Sequence, residues 1–301
     1  MKNNLILFTF IIALFSCKVT PKEETQKINT IVCTTGMIGD VVKNIVGENI
    51  KVITLMGPGV DPHLYKATQG DSDADVIVYN GLHLEGKMGE LFEKLEKQKN
   101  MIVATDAIAQ NDLINNTEFQ GAYDPHIWFD IQLWNTSTNY ISKELSSLVT
   151  DSVAQEFQVN TRQYTESLNN LHEAIIANFK NVDPKQKVII TAHDAFGYFG
   201  RAYGFEVRGL QGISTTSEYG LKDVSDLVNF IIEKEIQSVF VETSVASKSL
   251  EAIVEGCKEK DHEVKIGGKL YSDAMGPEGT SDGTYIGMVM HNVKTILKGL
   301  K

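Results

Sequence analysis

The sequence predicts an α/β fold: two small α/β domains with parallel sheets, joined by one long helix. Three observations carry this reading. From residue 28 onward, short β-rich runs alternate with amphipathic segments. The alternation stops for one long helical stretch, and it then resumes almost to the end of the chain. Strands separated by helices argue for parallel sheets covered on both faces.

In chain order, NTIVCTT reads as a strand, 37–46 as a helix, NIKVITLM and DVIVYN as strands, 86–97 as a helix and MIVATDA as a strand. The long helix is marked by Val153, Phe157, Tyr164, Leu168, Leu171, Ile175 and Phe179. These recur in steps of three, four or seven, an apolar stripe on a helix of about 30 residues, or roughly 45 Å. Asp183-Pro184 ends it. KVIITAH then opens the second half as a strand, followed by a helix over FGYFGRAYG and the run FEVRGLQG. A helix near 224–234, the strand SVFVET, a helix near 249–260, the run VKIGGKLYSD and a last helix over 285–297 complete it.

The first residues stand apart. Lys2 precedes an apolar run that ends in Leu14-Phe15-Ser16-Cys17, too short for a membrane span and built like a secretory signal. LFSC resembles a bacterial lipobox, in which Cys17 is lipidated and becomes the mature N-terminus. VTPKEETQK, which follows it, has too little apolar content to pack and reads as a tether. The expected organisation is therefore a signal peptide over 1–16, a lipidated tether over 17–27, an N-terminal α/β domain over 28–150, a linking helix over 151–182 and a C-terminal α/β domain over 183–301.

With 28 basic against 39 acidic residues, the formal net charge of −11 argues against nucleic acid as a partner. Beyond Cys17 only Cys33 and Cys257 remain, far apart in sequence, so neither a disulfide framework nor a thiolate metal site is expected.

Chemistry concentrates around a repeated tripeptide. Asp61-Pro62-His63 recurs as Asp124-Pro125-His126 in a chain with only six prolines and seven histidines. Proline fixes its own φ and pushes the preceding residue out of the helical region, so each His is presented from a stiff turn. Rigid presentation suits a metal ligand, which must be held in one orientation with its second ring nitrogen bonded elsewhere. His193 ends the strand KVIITAH, and Asp273 closes VKIGGKLYSD just before the Gly-rich MGPEGTSDG. Parallel sheets bind ligands beyond the carboxyl ends of their strands, so His63, His193 and Asp273 fall where a site is expected. The four candidates can converge in the cleft between the halves. Three imidazoles and one carboxylate suit Zn²⁺ and are tolerable for Mn²⁺. His83, in NGLHLEG, is the rival ligand, with an outer or surface role as its other reading. His172, His262 and His291 read as structural or solvated. Glu218 and Glu242 are carboxylates within possible reach of the cleft, and Glu242 can either orient a ligand His or serve as a general base.

At this point several motifs carry a resemblance. The lipobox, GVDPHLYKAT, VYNGLHLEGKM, YDPHIWFD, the long helix, TAHDAFGYFGRAYG, GLQGIST and LYSDAMGPEGTSDGTYIGMV together resemble the zinc/manganese-binding proteins of bacterial ABC importers, the ZnuA/TroA-like family. The likeness runs from Cys17 to the C-terminus. It implies a metal bound between two α/β domains, with His63, His126, His193 and Asp273 at the family's four ligand positions. Zinc-dedicated members often carry a His-rich loop before the second DPH, whereas 111–123 here contains no histidine. Manganese-dedicated members commonly have Glu where this chain has His193. Both metals therefore stay open.

The expected function is that of a monomeric, extracytoplasmic lipoprotein, anchored to a bacterial membrane, that captures Zn²⁺ or Mn²⁺ and hands it to an ABC permease. It is not expected to be an enzyme. The alternatives are a metal-dependent hydrolase with Glu242 as base, or a surface adhesin. Neither GxSxG nor HExxH occurs, and no adhesive repeat is present.

Overall fold

The computed structural model describes residues 28–67, 74–116 and 121–300. The expected signal, the lipidated Cys17 and the tether lie outside the described residues. Within these, no helix is long and apolar enough to cross a membrane.

The first half contains β1 (Thr30–Cys33), α1 (Gly36–Val46), β2 (Lys51–Thr54), β3 (Val76–Tyr79), α2 (Gly89–Leu95) and β4 (Asn100–Val103). Its four strands form a parallel sheet in the order β2-β1-β3-β4. Two helices follow, α3 (Ile131–Ser147) and α4 (Asp151–Phe179). The second half comprises β5 (Val188–His193), α5 (Gly197–Tyr203), β6 (Glu206–Gln211), α6 (Leu221–Glu233), β7 (Ser238–Glu242), α7 (Lys248–Lys258), β8 (Lys265–Leu270) and α8 (Tyr285–Gly299). Its sheet, again parallel, runs β6-β5-β7-β8. The two halves thus share one strand order. In each, the chain leaves the first strand toward one side and the third strand lies on the other, which opens a crevice between them at the carboxyl ends.

Burial explains why these segments are strands. β5 and β7 are buried at every position, and β3 at all but its last. Central parallel strands covered on both faces need such continuous apolar runs, whereas the edge strand β6 alternates exposed and half-buried residues over most of its length. The elements match the sequence reading with shorter ends. The helix expected over 86–97 is a 3₁₀ turn at Gly86–Met88 followed by the short α2, because glycines at 86 and 89 weaken the α-helical start. Asp273 lies three residues beyond β8 and not at the strand's last position.

The long helix α4, 29 residues, does more than bridge the halves. Its stripe of Phe157, Tyr164, Leu168, Leu171, Ile175 and Phe179 is buried in one core, shared with Ile31 and Ile38 of the first half and Ile189, Phe240 and Val293 of the second. A second core lies on the other face of the second sheet, where Ile190 and Val239 meet Leu227, Ile231 and Ile253 of α6 and α7. The halves are therefore fastened along a common apolar seam. Both Cys33 and Cys257 are buried, unpaired thiols.

Candidate metal centre

Both DPH tripeptides fold into the same turn. The Asp61 carboxylate accepts the His63 backbone N–H at 2.9 Å, and the Asp124 carboxylate accepts that of His126 at 2.9 Å. An Asp bonding the backbone two residues on, across a proline that has no N–H of its own, closes a tight turn with the His at its end. In the second copy the same oxygen also lies 2.7 Å from the His126 Nδ1, so this carboxylate holds both backbone and ring.

His193 is positioned differently. It ends the central strand β5, beside Glu242 at the end of β7, at the crevice of the second sheet. The His193 N–H donates to one Glu242 oxygen at 2.9 Å, and Nδ1 lies 2.5 Å from the other. On the far side β6 approaches so closely that a Cβ at Gly209 would sit 2.7 Å from the His193 carbonyl carbon. Asp273 comes last, with the Ser244 hydroxyl 3.5 Å from Oδ2.

These four side chains converge. One donor atom from each of His63, His126, His193 and Asp273 lies within 4.8 Å of the others. The Nε2 atoms of His126 and His193 are each 3.3 Å from an Asp273 oxygen. The residues are 4%, 0%, 0% and 2% exposed, so water does not solvate them. Yet Nε2 of all three histidines and Oδ1 of Asp273 have no hydrogen-bond partner. Buried polar atoms without partners are costly, and here they point at one another. Zinc bonds of about 2.0 Å in a tetrahedron imply donor–donor edges of roughly 3.3 Å, so the donor set fits a four-coordinate cation.

The electrostatics divide the histidines. Burial holds His63 down to about 3, with the Asp273 carboxylate opposing only in part. Burial also disfavours charge on His126, but the Asp124 and Asp273 carboxylates outweigh it and raise the ring to about 9. His193 is raised well above its ordinary value in the same way, by Glu242 and Asp273 against burial. Asp273, which burial alone would keep neutral, is held well below the usual carboxylate range by the two imidazoles. A carboxylate behind each of two rings fixes the tautomer and leaves Nε2 facing inward.

The other sequence candidates fall elsewhere. His83 and Glu218 are exposed and outside the cluster. His172 meets the Tyr203 hydroxyl at 3.1 Å, His262 the Ile236 carbonyl at 2.7 Å and His291 the Lys269 carbonyl at 3.1 Å. Glu242 is the ring partner of His193, so of its two readings the orienting one matches the geometry. Sequence reasoning missed Asp124 as a ring partner, together with a set of contacts behind the second DPH turn. The Asn80 side chain donates to the Pro125 carbonyl at 3.0 Å, while buried Glu85 accepts the Asn80 N–H at 2.8 Å and the Thr34 hydroxyl at 2.6 Å. Across the halves, the Trp128 indole donates to the Ser272 carbonyl at 3.0 Å, and the Tyr198 hydroxyl donates to the Asp124 carbonyl at 2.9 Å. The repetition of DPH was the available signal for Asp124. Apart from Asn80 and Glu85, which are five residues apart, the remaining partners are separated by 45 to 144 residues.

Residues 31–299 match the family described as ZnuA, zinc-uptake complex component A periplasmic. The manganese-binding lipoprotein MntA of Bacillus subtilis (strain 168) is 50% identical over 275 residues, 90% of this chain and 89% of that protein. The zinc-binding protein TroA of Treponema pallidum (strain Nichols) is 44% identical over 274 residues, 90% of this chain and 88% of its own length. The solved structure of the periplasmic zinc-binding protein TroA from Treponema pallidum superposes with a TM-score of 0.88, covering 91% of this chain and 99% of that one at 43% identity. With its paired parallel sheets, its connecting helix and this agreement over nearly all of the described residues, the chain belongs to the ZnuA/TroA family of metal ABC importer substrate-binding proteins.

Proposed function

We propose that this protein captures a divalent transition-metal ion, Zn²⁺ or Mn²⁺, outside the cytoplasm and delivers it to an ABC permease. The ion is its cargo, and His63, His126, His193 and Asp273 are its ligands. The observation that carries this reading is the cluster of four buried, mutually facing donor atoms without hydrogen-bond partners, two of them on imidazoles backed by carboxylates. Relatives named as a manganese-binding lipoprotein and as a zinc-binding protein support the cargo class. A nitrogen-rich set of three imidazoles favours Zn²⁺ over Mn²⁺ in vitro by the general affinity order of divalent metals, whichever ion the cell delivers.

The carrier reading is favoured over a hydrolase because both Glu242 oxygens face His193, through its N–H and its ring, and are committed to holding a ligand. Four protein donors can also close the coordination shell, whereas a catalytic zinc keeps a position for water. Anchoring through a lipidated Cys17, with the chain acting as a monomer, completes the proposal. Membrane fractionation of a Cys17→Ser variant tests the anchor, and retention in the membrane would refute it.

Thermal unfolding tests the site. Ligands that bind only the folded chain stabilise it by RT ln(1 + [L]/Kd), about 4 kcal/mol at 1,000 times Kd. Excess Zn²⁺ at neutral pH should raise the melting temperature of the wild type and of His262→Ala, but scarcely that of His126→Ala. An unchanged melting temperature of the wild type with both Zn²⁺ and Mn²⁺ would contradict the assignment.

A further inference from the structure

The buried cluster needs a route by which a hydrated cation reaches it, and one cavity borders it. A cavity of about 380 Å³ is lined by His63, His83, Tyr123, Pro125, Ser214 and neighbouring residues. Of the four cluster residues, only His63 lines it, and His63 is also the most exposed of the four. The cavity therefore meets the metal centre at the His63 face. Among the described residues lining it, His63 and His83 alone carry an imidazole, thiol or carboxylate. One lies against the buried cluster and the other is exposed to solvent.

The backbone at His83 is unusual. Gly81, Leu82 and His83 have φ of 87°, 51° and 65°, three consecutive residues in the left-handed region. Leucine rarely adopts this conformation, and such a run persists only where its surroundings impose it. Here they do. Glu85 accepts the N–H groups of Asn80 and Gly81 at 2.8 and 3.2 Å, and the Leu84 N–H closes onto the Gly81 carbonyl at 3.1 Å. A Cβ at Gly81 would meet Val103 at 2.5 Å, so the turn cannot relax with another residue there. The clamped turn thereby fixes an exposed imidazole on the cavity that borders the cluster at His63. Packing alone does not call for this, since an exposed residue at a left-handed position would more readily be Gly or Asn.

The geometry points to His83 as a loading ligand: it takes up the incoming divalent cation at the cleft mouth and passes it to His63. This rests on the metal-carrier reading above. A hydrated ion exchanges one bound water for the His83 imidazole, exchanges another for His63, and releases His83 as it settles among the four buried donors. His83 is absent from the final shell, so it accelerates entry and exit equally and leaves the equilibrium unchanged. Lys87, which lines the same cavity, is a like charge to the cation and opposes its approach.

Stopped-flow mixing of metal-free protein with Zn²⁺, and separately with Mn²⁺, tests this, with Trp128 as reporter because its ring lies 5.2 Å from that of His126. His83→Ala, and His83→Asn, which tolerates the left-handed backbone, should slow association and dissociation together, by about fivefold, with Kd unchanged within about twofold. Leu82→Ala should leave both rates alone, and Lys87→Ala should not slow association. Wild-type rates in both His83 variants would overturn the proposal. So would a weakened Kd at unchanged association rate, which would place His83 in the bound shell, or an equal slowing in Leu82→Ala, which would make the turn and not the imidazole responsible. If the wild type binds neither metal, the carrier reading falls first and this one with it.

Discussion

The two Asp-Pro-His turns have the same residues and the same backbone hydrogen bond, yet they deliver two different imidazoles. At the second turn Asp124 also bonds the ring, and its neighbours come from both halves: Asn80 from the first, Tyr198 and Ser272 from the second. At the first turn the Asp61 carboxylate bonds the backbone of His63, and burial lifts it above the usual carboxylate range, with Asp273 adding to the effect. His126 is consequently a ring that binds a proton tightly, up to about 9, whereas His63 stays neutral down to about 3. A tripeptide specifies how a side chain is presented. Its protonation is set by what the rest of the chain brings behind it.

The most severe way to break this comparison is to remove the carboxylate from each turn. Asp124→Asn takes the charge from behind His126, and loss of such an outer partner typically weakens metal binding by about 10- to 100-fold. Asp61→Asn leaves an amide oxygen that can still accept the His63 N–H, so zinc affinity should change several-fold less. Titration of both variants against a competing chelator measures the contrast, and equal losses would show that the turns are equivalent.

Changing pH gives the next largest effect, and its sign differs between metal-free and metal-loaded protein. His126 rises from an ordinary 6.5 to about 9 on folding, and His193 also rises. Protonation of these rings therefore stabilises the metal-free fold fully below about pH 6.5, and this stabilisation is lost as pH rises toward 9. Metal must displace the same protons, so the stabilisation that Zn²⁺ adds should grow over that interval. His63, neutral in the fold throughout this interval, contributes only at its lower end, where the unfolded chain's imidazole still binds a proton and folding gains stability as pH rises. Melting temperatures of the two forms between pH 6.5 and 9 should move in opposite directions relative to each other, and parallel curves would remove His126 and His193 from the proton inventory.

Substitution at His193 should give the smallest effect and sharpens the role of the backing carboxylate. His193→Glu gives two imidazoles and two carboxylates, a harder donor set, and should lower the ratio of zinc to manganese affinity. Glu242 would then face a carboxylate, a repulsion that Glu242→Gln should relieve. A ratio that is unchanged or raised in paired titrations would take His193 out of the shell.

Much of this is legible in the sequence, for identifiable reasons. β3, β5 and β7 show in the sequence because central strands need unbroken apolar runs, and α4 shows because a single stripe must serve both halves. The ends of β2 and β4 were overextended, since edge strands taper into loops without a chemical signal. At the site, the repeated tripeptide, the strand-end His193 and Asp273 in the loop just after β8 marked all four converging side chains. The pairing of His193 with Glu242 could only be suggested, because it depends on β5 and β7 being neighbours in the sheet. The strained turn at 81–83 left no trace beyond one glycine, since Leu82 is a type that seldom takes positive φ and a single His is too weak a signal of it.

X-ray absorption at the zinc edge of protein loaded with one equivalent of Zn²⁺ tests the central claim most directly. A shell of four nitrogen and oxygen donors at about 2.0–2.1 Å, three of them imidazoles, without sulfur, is the predicted result. Fewer than three imidazoles, a sulfur shell, or zinc that fails to bind at one per chain would contradict the account.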